Sequence, residues 1–367
     1  METYVIFDRY GGVSAKDHER QRRAGEGSTE YNIELTTTLP GREAIMKNVA
    51  NKQKLCQLLC TYNLGPNITM VSKADSLVRH DEADISLVSY MLHASKSGAQ
   101  KIRIVSDDTD VFVLLVYWTW KANVMAEIQM QKWDGSILKI NSTVAALDTK
   151  CEGLLAVHAL SGCDTVSFPC GKGKVSALKA LQENHIPGLQ VIGEVNAKER
   201  DIVEAARKFF LVLYGQEKST DMQNARYNIF KKRKKPPALK TLPPTDANLT
   251  LHASCAHLQV LLWKAADKTE PPRVAQDITK FGWTVTEENG VMPVVSSQHA
   301  APPTLLDVVS CSCSATGKAC SQKNCSCHAA GLSCTNYCQC DGGYECHNPH
   351  TSRDIEDDSN SDTDEEL

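Results

Sequence analysis

The chain has 367 residues, 42% of them apolar and 23% charged, with a formal net charge of −4. That composition is ordinary for a water-soluble chain of one or two domains plus tails. It excludes a membrane-spanning helix, because the longest apolar run, VFVLLVYW at 111–118, is far too short to cross a bilayer.

In chain order, TYVIFD at 3–8 predicts a buried strand ending on an acid, followed by a basic stretch with Lys16, Arg20, Arg22 and Arg23. Apolar positions Ile45, Val49, Leu55, Leu59 and Tyr62 recur at helical spacing over 43–62. A short strand near 68–71, a helix over about 82–96, strands at 102–106 and 111–116, and a hairpin at Asp134-Gly135 are expected next. Helices follow at 144–160, 174–183 and 201–213. Alternating strands and helices predict an α/β layer architecture with a mainly parallel sheet.

The run KKRKK at 231–235 precedes PPALKTLPP, which places a boundary near 236. The run reads equally as a nuclear-import or phosphate-contact patch and as a solvated helix end. Residues 236–308 are expected to be linker and accessory layer, with one helix around 251–267, FGW at 281–283 and a turn at Asn289-Gly290. The last fourteen residues, DIEDDSNSDTDEEL, carry eight acids and no base, so 351–367 is expected to be a disordered acidic tail and the remainder is net positive.

Nine of the fifteen cysteines fall between Cys311 and Cys346, spaced C-x-C-x6-C-x4-C-x-C-x6-C-x3-C-x-C-x5-C. Neighbouring C-x-C thiols suit a shared metal better than a strain-free disulfide. The segment is also poor in large apolar side chains and needs cross-links to hold a shape. Tetrahedral zinc takes four ligands, so three zincs need twelve bonds, which nine thiolates supply if three of them bridge. A disulfide-knotted secreted module is disfavoured by the odd count, and METYVIFDRY lacks the regions of a secretory signal. The six remaining cysteines, scattered through apolar stretches, point to a reducing compartment. Nucleus or cytoplasm is therefore expected.

The block resembles the tesmin-type cysteine-rich CXC domain. The matching residues are Cys311, Cys313, Cys320, Cys325, Cys327, Cys334, Cys338, Cys340 and Cys346, with Ala-Gly-Leu at 330–332. The resemblance implies about three zincs per chain over 309–350, and often DNA binding. This chain has one module rather than two, and Asn324 where DNA-binding members place Tyr or a basic residue. Nine thiolates against three Zn²⁺ leave about three negative charges, and Lys318 and Lys323 are offset by Asp341 and Glu345, so the module's own grip on DNA is expected to be weak.

Upstream, acids recur where strands end or helices begin: Asp8, Glu82 and Asp84 in HDEADISL, Asp108 and Asp110 in VSDDTDVFVLL, and Asp164 in SGCDT. One such acid is ordinarily a cap or a solvated residue. Several at one edge of a sheet repel one another unless they hold hard cations, and Mg²⁺ or Mn²⁺ pairs serve phosphodiester cleavage. In GKGKVSA, Gly171 and Gly173 would let the backbone approach a phosphate and Lys172 and Lys174 add charge.

This order of acids followed by GKGK resembles the flap-endonuclease and PIN-like nuclease superfamily over about residues 1–235. It implies a three-layer parallel-sheet fold, Mg or Mn at Asp8, Glu82, Asp84, Asp108, Asp110 and Asp164, and nucleic-acid backbone contacts at Lys16, Arg22, Arg23, Gly171, Lys172, Gly173 and Lys174. The family's usual earlier strand, with a further acid, has no counterpart here, which is expected to leave an open sheet edge. Two functions follow as expectations: a metal-dependent structure-selective nuclease targeted by a zinc module, or an inactive nuclease-like scaffold for DNA or protein binding. A Toprim-like or haloacid-dehalogenase domain also uses D-x-D. The GCDT–GKGK sequel stands against the first and Phe112 against the second.

Overall fold

The first strand, β1 (Thr3–Val5), runs parallel to β2 (Ile68–Met70), in register from Thr3↔Ile68 to Val5↔Met70, in a computed structural model of the chain. The structure describes residues 2–9, 13–24, 29–62, 64–71, 77–232, 239–287, 290–298, 310–314, 318–322, 324–335, 338–342 and 346–350. A second sheet has β3 (Lys101–Val105) parallel to β4 (Glu127–Gln131), with β5 (Ile137–Lys139) antiparallel beyond it. The hairpin expected at Asp134-Gly135 is the β4–β5 turn. The α/β character is as expected. The single mainly parallel sheet is not formed: among the described residues β1 and β3 each pair on one side only, and their strands stand in two small sheets.

The chain divides into two units. One comprises residues 1–218 and 247–295, the other 219–246 and 296–367. In the first unit the helices are α1 (Lys16–Ala24), α2 (Arg42–Met46), α3 (Val49–Cys60), α4 (Ala83–Lys96), α5 (Thr109–Lys121), α6 (Ile140–Leu147), α7 (Cys151–Leu160), α8 (Lys174–Glu183) and α9 (Glu199–Leu213). Helix α10 (Met222–Lys232) belongs to the second unit, and α11 (Asp246–Trp263) runs back into the first. No described helix is long and apolar enough to cross a membrane.

The clearest correction is at 111–116, a helix and not a strand. The run is buried on every side, with Val111, Leu114, Leu115 and Val116 at 0% exposure, so it shows no periodicity to separate helix from strand. Asp108 decides it. Its Oδ1 accepts the Asp110 N–H at 2.8 Å, satisfying a donor that the first helical turn would leave unpaired. Two other expected helices are broken. The 43–62 segment divides at Asn48, whose side chain accepts from Asn51 N and starts α3. The 144–160 segment divides at Asp148, which adopts φ +47°.

Helix α11 lies in the first unit, outside the boundary expected at 236. Val260 and Trp263 are buried in its core, and the Trp118 indole N–H donates to the Trp263 carbonyl at 3.0 Å. Leu258 and Leu261 of the same helix join Ala15, Phe281, Trp283 and Val291, which brings in the antiparallel pair β6 (Trp283–Thr286) and β7 (Gly290–Pro293). Of KKRKK, Lys231 and Lys232 end α10, while the rest of that run and the acidic tail lie outside the described residues.

Candidate metal centres

Acidic side chains gather around Lys16 in the first unit, and cysteines gather in the second, where the groups that could hold a metal ion among the described residues lie. In the first unit, the chain after β1 brings Asp8 to the start of α4, where its Oδ1 accepts Ala83 N–H at 2.8 Å. Glu82, at the N-cap position, offers no side-chain cap, so Asp8 fills that role from 75 residues away. Glu82 is freed to point inward. Its Oε2 lies 3.2 Å from Lys16 Nζ, and Asp84 Oδ2 lies 3.3 Å from the same ammonium. Lys16 was expected at a nucleic-acid backbone. It is instead enclosed, its side chain 12% exposed, with the Asp8 and Asp164 charges also acting on it.

Burial pushes the Glu82 carboxyl up, against the opposing pull of Lys16 and Gln259. Burial likewise takes Asp84 to about 7, with the negative charges of Glu82, Asp108 and Asp8 adding to it and Lys16 opposing. Asp108 is raised by partial desolvation and by its neighbour Asp110. Asp110 differs. Burial again raises it, but the hydrogen bond to His158 Nε2 at 2.7 Å, with the charges of Lys174 and Lys16, leaves it below the usual carboxylate range. His158 is lowered by its own burial, so a neutral imidazole faces an ionised Asp110 and Nε2 carries the proton.

Several residues expected at a phosphate are engaged elsewhere. Lys174 Nζ donates to the carbonyls of His158 (2.7 Å) and Gly162, tying the start of α8 to the end of α7. Lys172 sits 5.3 Å over the Tyr214 ring. Gly171 takes φ +71°, and Gly173 is the N-cap of α8. Arg22 pairs with Glu19 on α1. Arg23 lies on the same helix, its side chain outside the described residues. Trp133 is 78% exposed at the hairpin, where Asp107 Oδ1 accepts its backbone N–H.

Sequence reasoning missed Gln259. From α11 its Nε2 reaches both Glu82 oxygens at 3.4 Å, and its Oε1 accepts the Thr165 hydroxyl at 2.5 Å. The only signal was an amide within the apolar stretch HLQVLLW.

In the second unit, the nine cysteines converge. Eight are buried and Cys313 packs against them. A short turn of 3-10 helix (Lys318–Ser321) and the four-residue helix Ser326–Ala329 space the three C-x-C segments. Gly342, at φ +58°, passes so close to the 334–335 backbone that a Cβ would stand 2.5 Å from the Cys334 carbonyl oxygen. No disulfide joins any of the fifteen cysteines, all of which are among the described residues. Sulfur separations are 3.8 Å (Cys311–Cys334), 3.7 Å (Cys311–Cys340), 3.9 Å (Cys325–Cys334), 3.5 Å (Cys327–Cys338) and 3.8 Å (Cys340–Cys346).

Those separations fit zinc. Four sulfurs each about 2.3 Å from one ion stand about 3.8 Å apart at tetrahedral angles. Three groups of four sulfurs lie within 4.8 Å of one another: Cys311, Cys334, Cys338 and Cys340; Cys311, Cys320, Cys325 and Cys334; and Cys320, Cys334, Cys340 and Cys346. Each group can hold a metal ion. Burial pushes the Cys320, Cys327 and Cys334 thiols up, so a bound cation is what would ionise them. Burial also acts on Cys338, but N–H donors from Cys311 and Thr335 bring it down to about 7.

No protein-family model matches the chain, and neither a curated protein nor a solved structure matches it.

Proposed function

We propose that residues 309–350 form a trizinc-thiolate module of the CXC type, a metal-folded binding element. The observation that carries this is the overlap of the three four-sulfur groups. Cys311, Cys320 and Cys340 each belong to two groups, as bridging thiolates must, and Cys334 to all three. Cys327, 3.5 Å from Cys338, and Cys313, packed against the cluster, take the place of Cys334 in two of them. One zinc would take Cys311 and Cys340 with Cys327 and Cys338, a second Cys311 and Cys320 with Cys313 and Cys325. The third would take Cys320 and Cys340 with Cys334 and Cys346. When bound, the ions supply the cross-links that this core-poor segment lacks. Metal analysis of the purified chain should find close to three zincs; two or none overturns the bridged cluster.

A second reading applies to the first unit, favoured by carboxylates from three separate segments acting on one ammonium, Lys16 Nζ: Asp8, Glu82 with Asp84, and Asp164. The pocket selects positive charge. We propose that Asp8, Glu82, Asp84, Asp108, Asp110 and Asp164 take Mg²⁺ or Mn²⁺ for phosphodiester cleavage of nucleic acid, with Lys16 as the resident countercharge when no metal is bound. A metal there supplies Lewis-acid stabilisation of the phosphate. The chain's own groups hold the carboxylates apart: Gln259 orients Glu82, and neutral His158 fixes Asp110. The test incubates the protein with flap and single-stranded DNA plus Mn²⁺. No cleavage, or cleavage unchanged in Asp108→Asn/Asp110→Asn, rejects the enzyme and leaves the inactive scaffold.

A further inference from the structure

Residue Asn348 lies two positions past the last cysteine and is 1% exposed. A buried primary amide has two donors and an acceptor to satisfy. Here Nδ2 donates to Leu332 O at 2.9 Å and to Cys334 Sγ at 3.1 Å, and Oδ1 accepts from His350 N at 2.9 Å. The N–H···S contact is shorter than those made by backbone donors elsewhere in the module: Cys311 N to Cys338 (3.5 Å), His328 N to Cys325 (3.5 Å) and Thr335 N to Cys338 (3.4 Å). The same strap is tied down again where the Ser333 hydroxyl donates to His350 O at 2.5 Å and where the His328 and His350 rings meet edge to face.

Cys334 is the one cysteine common to all three four-sulfur groups. Cys346 starts the strap that carries Asn348. In the coordination proposed above, these two thiolates complete the same corner of the cluster, with Cys320 and Cys340. Asn348 therefore touches one of that corner's two terminal sulfurs and fixes the backbone leading to the other.

We infer that Asn348 is a positioning residue for one particular zinc, the one held by Cys320, Cys334, Cys340 and Cys346. Its N–H···S bond stabilises the Cys334 thiolate and its backbone ties hold Cys346 in place. An N–H donor relieves negative charge on a ligand set that carries more thiolate than metal charge, and a bond to a charged acceptor is worth more than a neutral one. The amide does this without titrating. The inference rests on the trizinc reading of the module.

The experiment uses the full chain loaded with zinc and follows metal transfer to excess EDTA, with Asn348→Leu (similar volume, no donor) and Asn348→Asp (same shape, no donor). In both variants about one of the three zincs should leave about tenfold faster, the others at the wild-type rate. The cobalt-substituted variants should show a shifted thiolate-to-metal charge-transfer band. Unchanged release, or uniform acceleration of all the zinc, overturns the assignment, as does fast release from Asn348→Asp alone. If Asn348→Leu loads no zinc, Asn348→Gln, which keeps the amide, decides. Slow release with the wild-type band supports the assignment, and fast release overturns it. A wild-type chain without zinc would instead overturn the cluster itself.

Discussion

The Lys16 ammonium stands 3.2 Å from Glu82 Oε2, and both side chains are almost wholly enclosed. Removing one member of such a pair strands the other as a buried charge. Lys16→Met is therefore expected to cost about 3 kcal/mol, read from the urea midpoint. Mn²⁺ should raise the variant's melting temperature more than the wild type's, because the ion replaces the lost ammonium. An unchanged midpoint would mean that Glu82 is already protonated.

Acid lability should come from two imidazoles away from both the acidic cluster and the cysteine block. His252 and His257 are each held down at about 4 by burial, against an ordinary value of 6.5. His252 lies between the Leu160 carbonyl, the Ser167 hydroxyl and the Phe210 ring, and His257 accepts from Gly193 N. Between pH 6.5 and 4 the unfolded chain binds protons that the folded chain refuses, so stability is complete above 6.5 and falls as the pH drops through that window. Each imidazole contributes a slope of about 1.4 kcal/mol per pH unit there. Denaturant titrations of His252→Gln should show a slope shallower by one proton.

Replacing Gly342 by alanine should weaken the cysteine module. The residue sits at φ +58°, and the new methyl would collide with the Cys334 carbonyl. A cost of about 2 kcal/mol is expected, visible as faster zinc loss with the rest of the chain's helical signal retained.

Asp8 has a structural duty separable from any metal. Asp8→Ala removes the acceptor for Ala83 N–H and should cost about 1 kcal/mol. Asp8→Asn keeps an acceptor and should cost much less. Thermal denaturation of the two variants distinguishes a cap from a purely electrostatic role.

What the sequence disclosed follows the range of the forces involved. The cysteine spacing is local, and the nine sulfurs do meet. The acids were legible as residues that end strands or begin helices, and Glu82, Asp84 and Asp108 do begin helices, whereas Asp8 stands three residues past β1, which stops at Val5. Their partners were not legible. Lys16 looked like an outward base because its neighbours are polar, yet it reaches 68 residues on to Asp84. Lys174 looked like a phosphate ligand, but two carbonyls at the α7–α8 turn claim it. Gln259 acts across 177 positions, a separation at which periodicity says nothing. The 111–118 run was misread because burial on all sides erases the pattern that distinguishes helix from strand.

The return of α11 to the first unit sets an order of events during synthesis. Trp118 and Glu82 leave the ribosome long before Trp263 and Gln259, so the indole N–H and the pocket carboxylate wait for partners 145 and 177 residues downstream. A chain cut at 235 would carry every acid of the pocket and still lack the helix that completes it. Such a fragment should aggregate, and supplying 246–295 as a separate peptide should recover it.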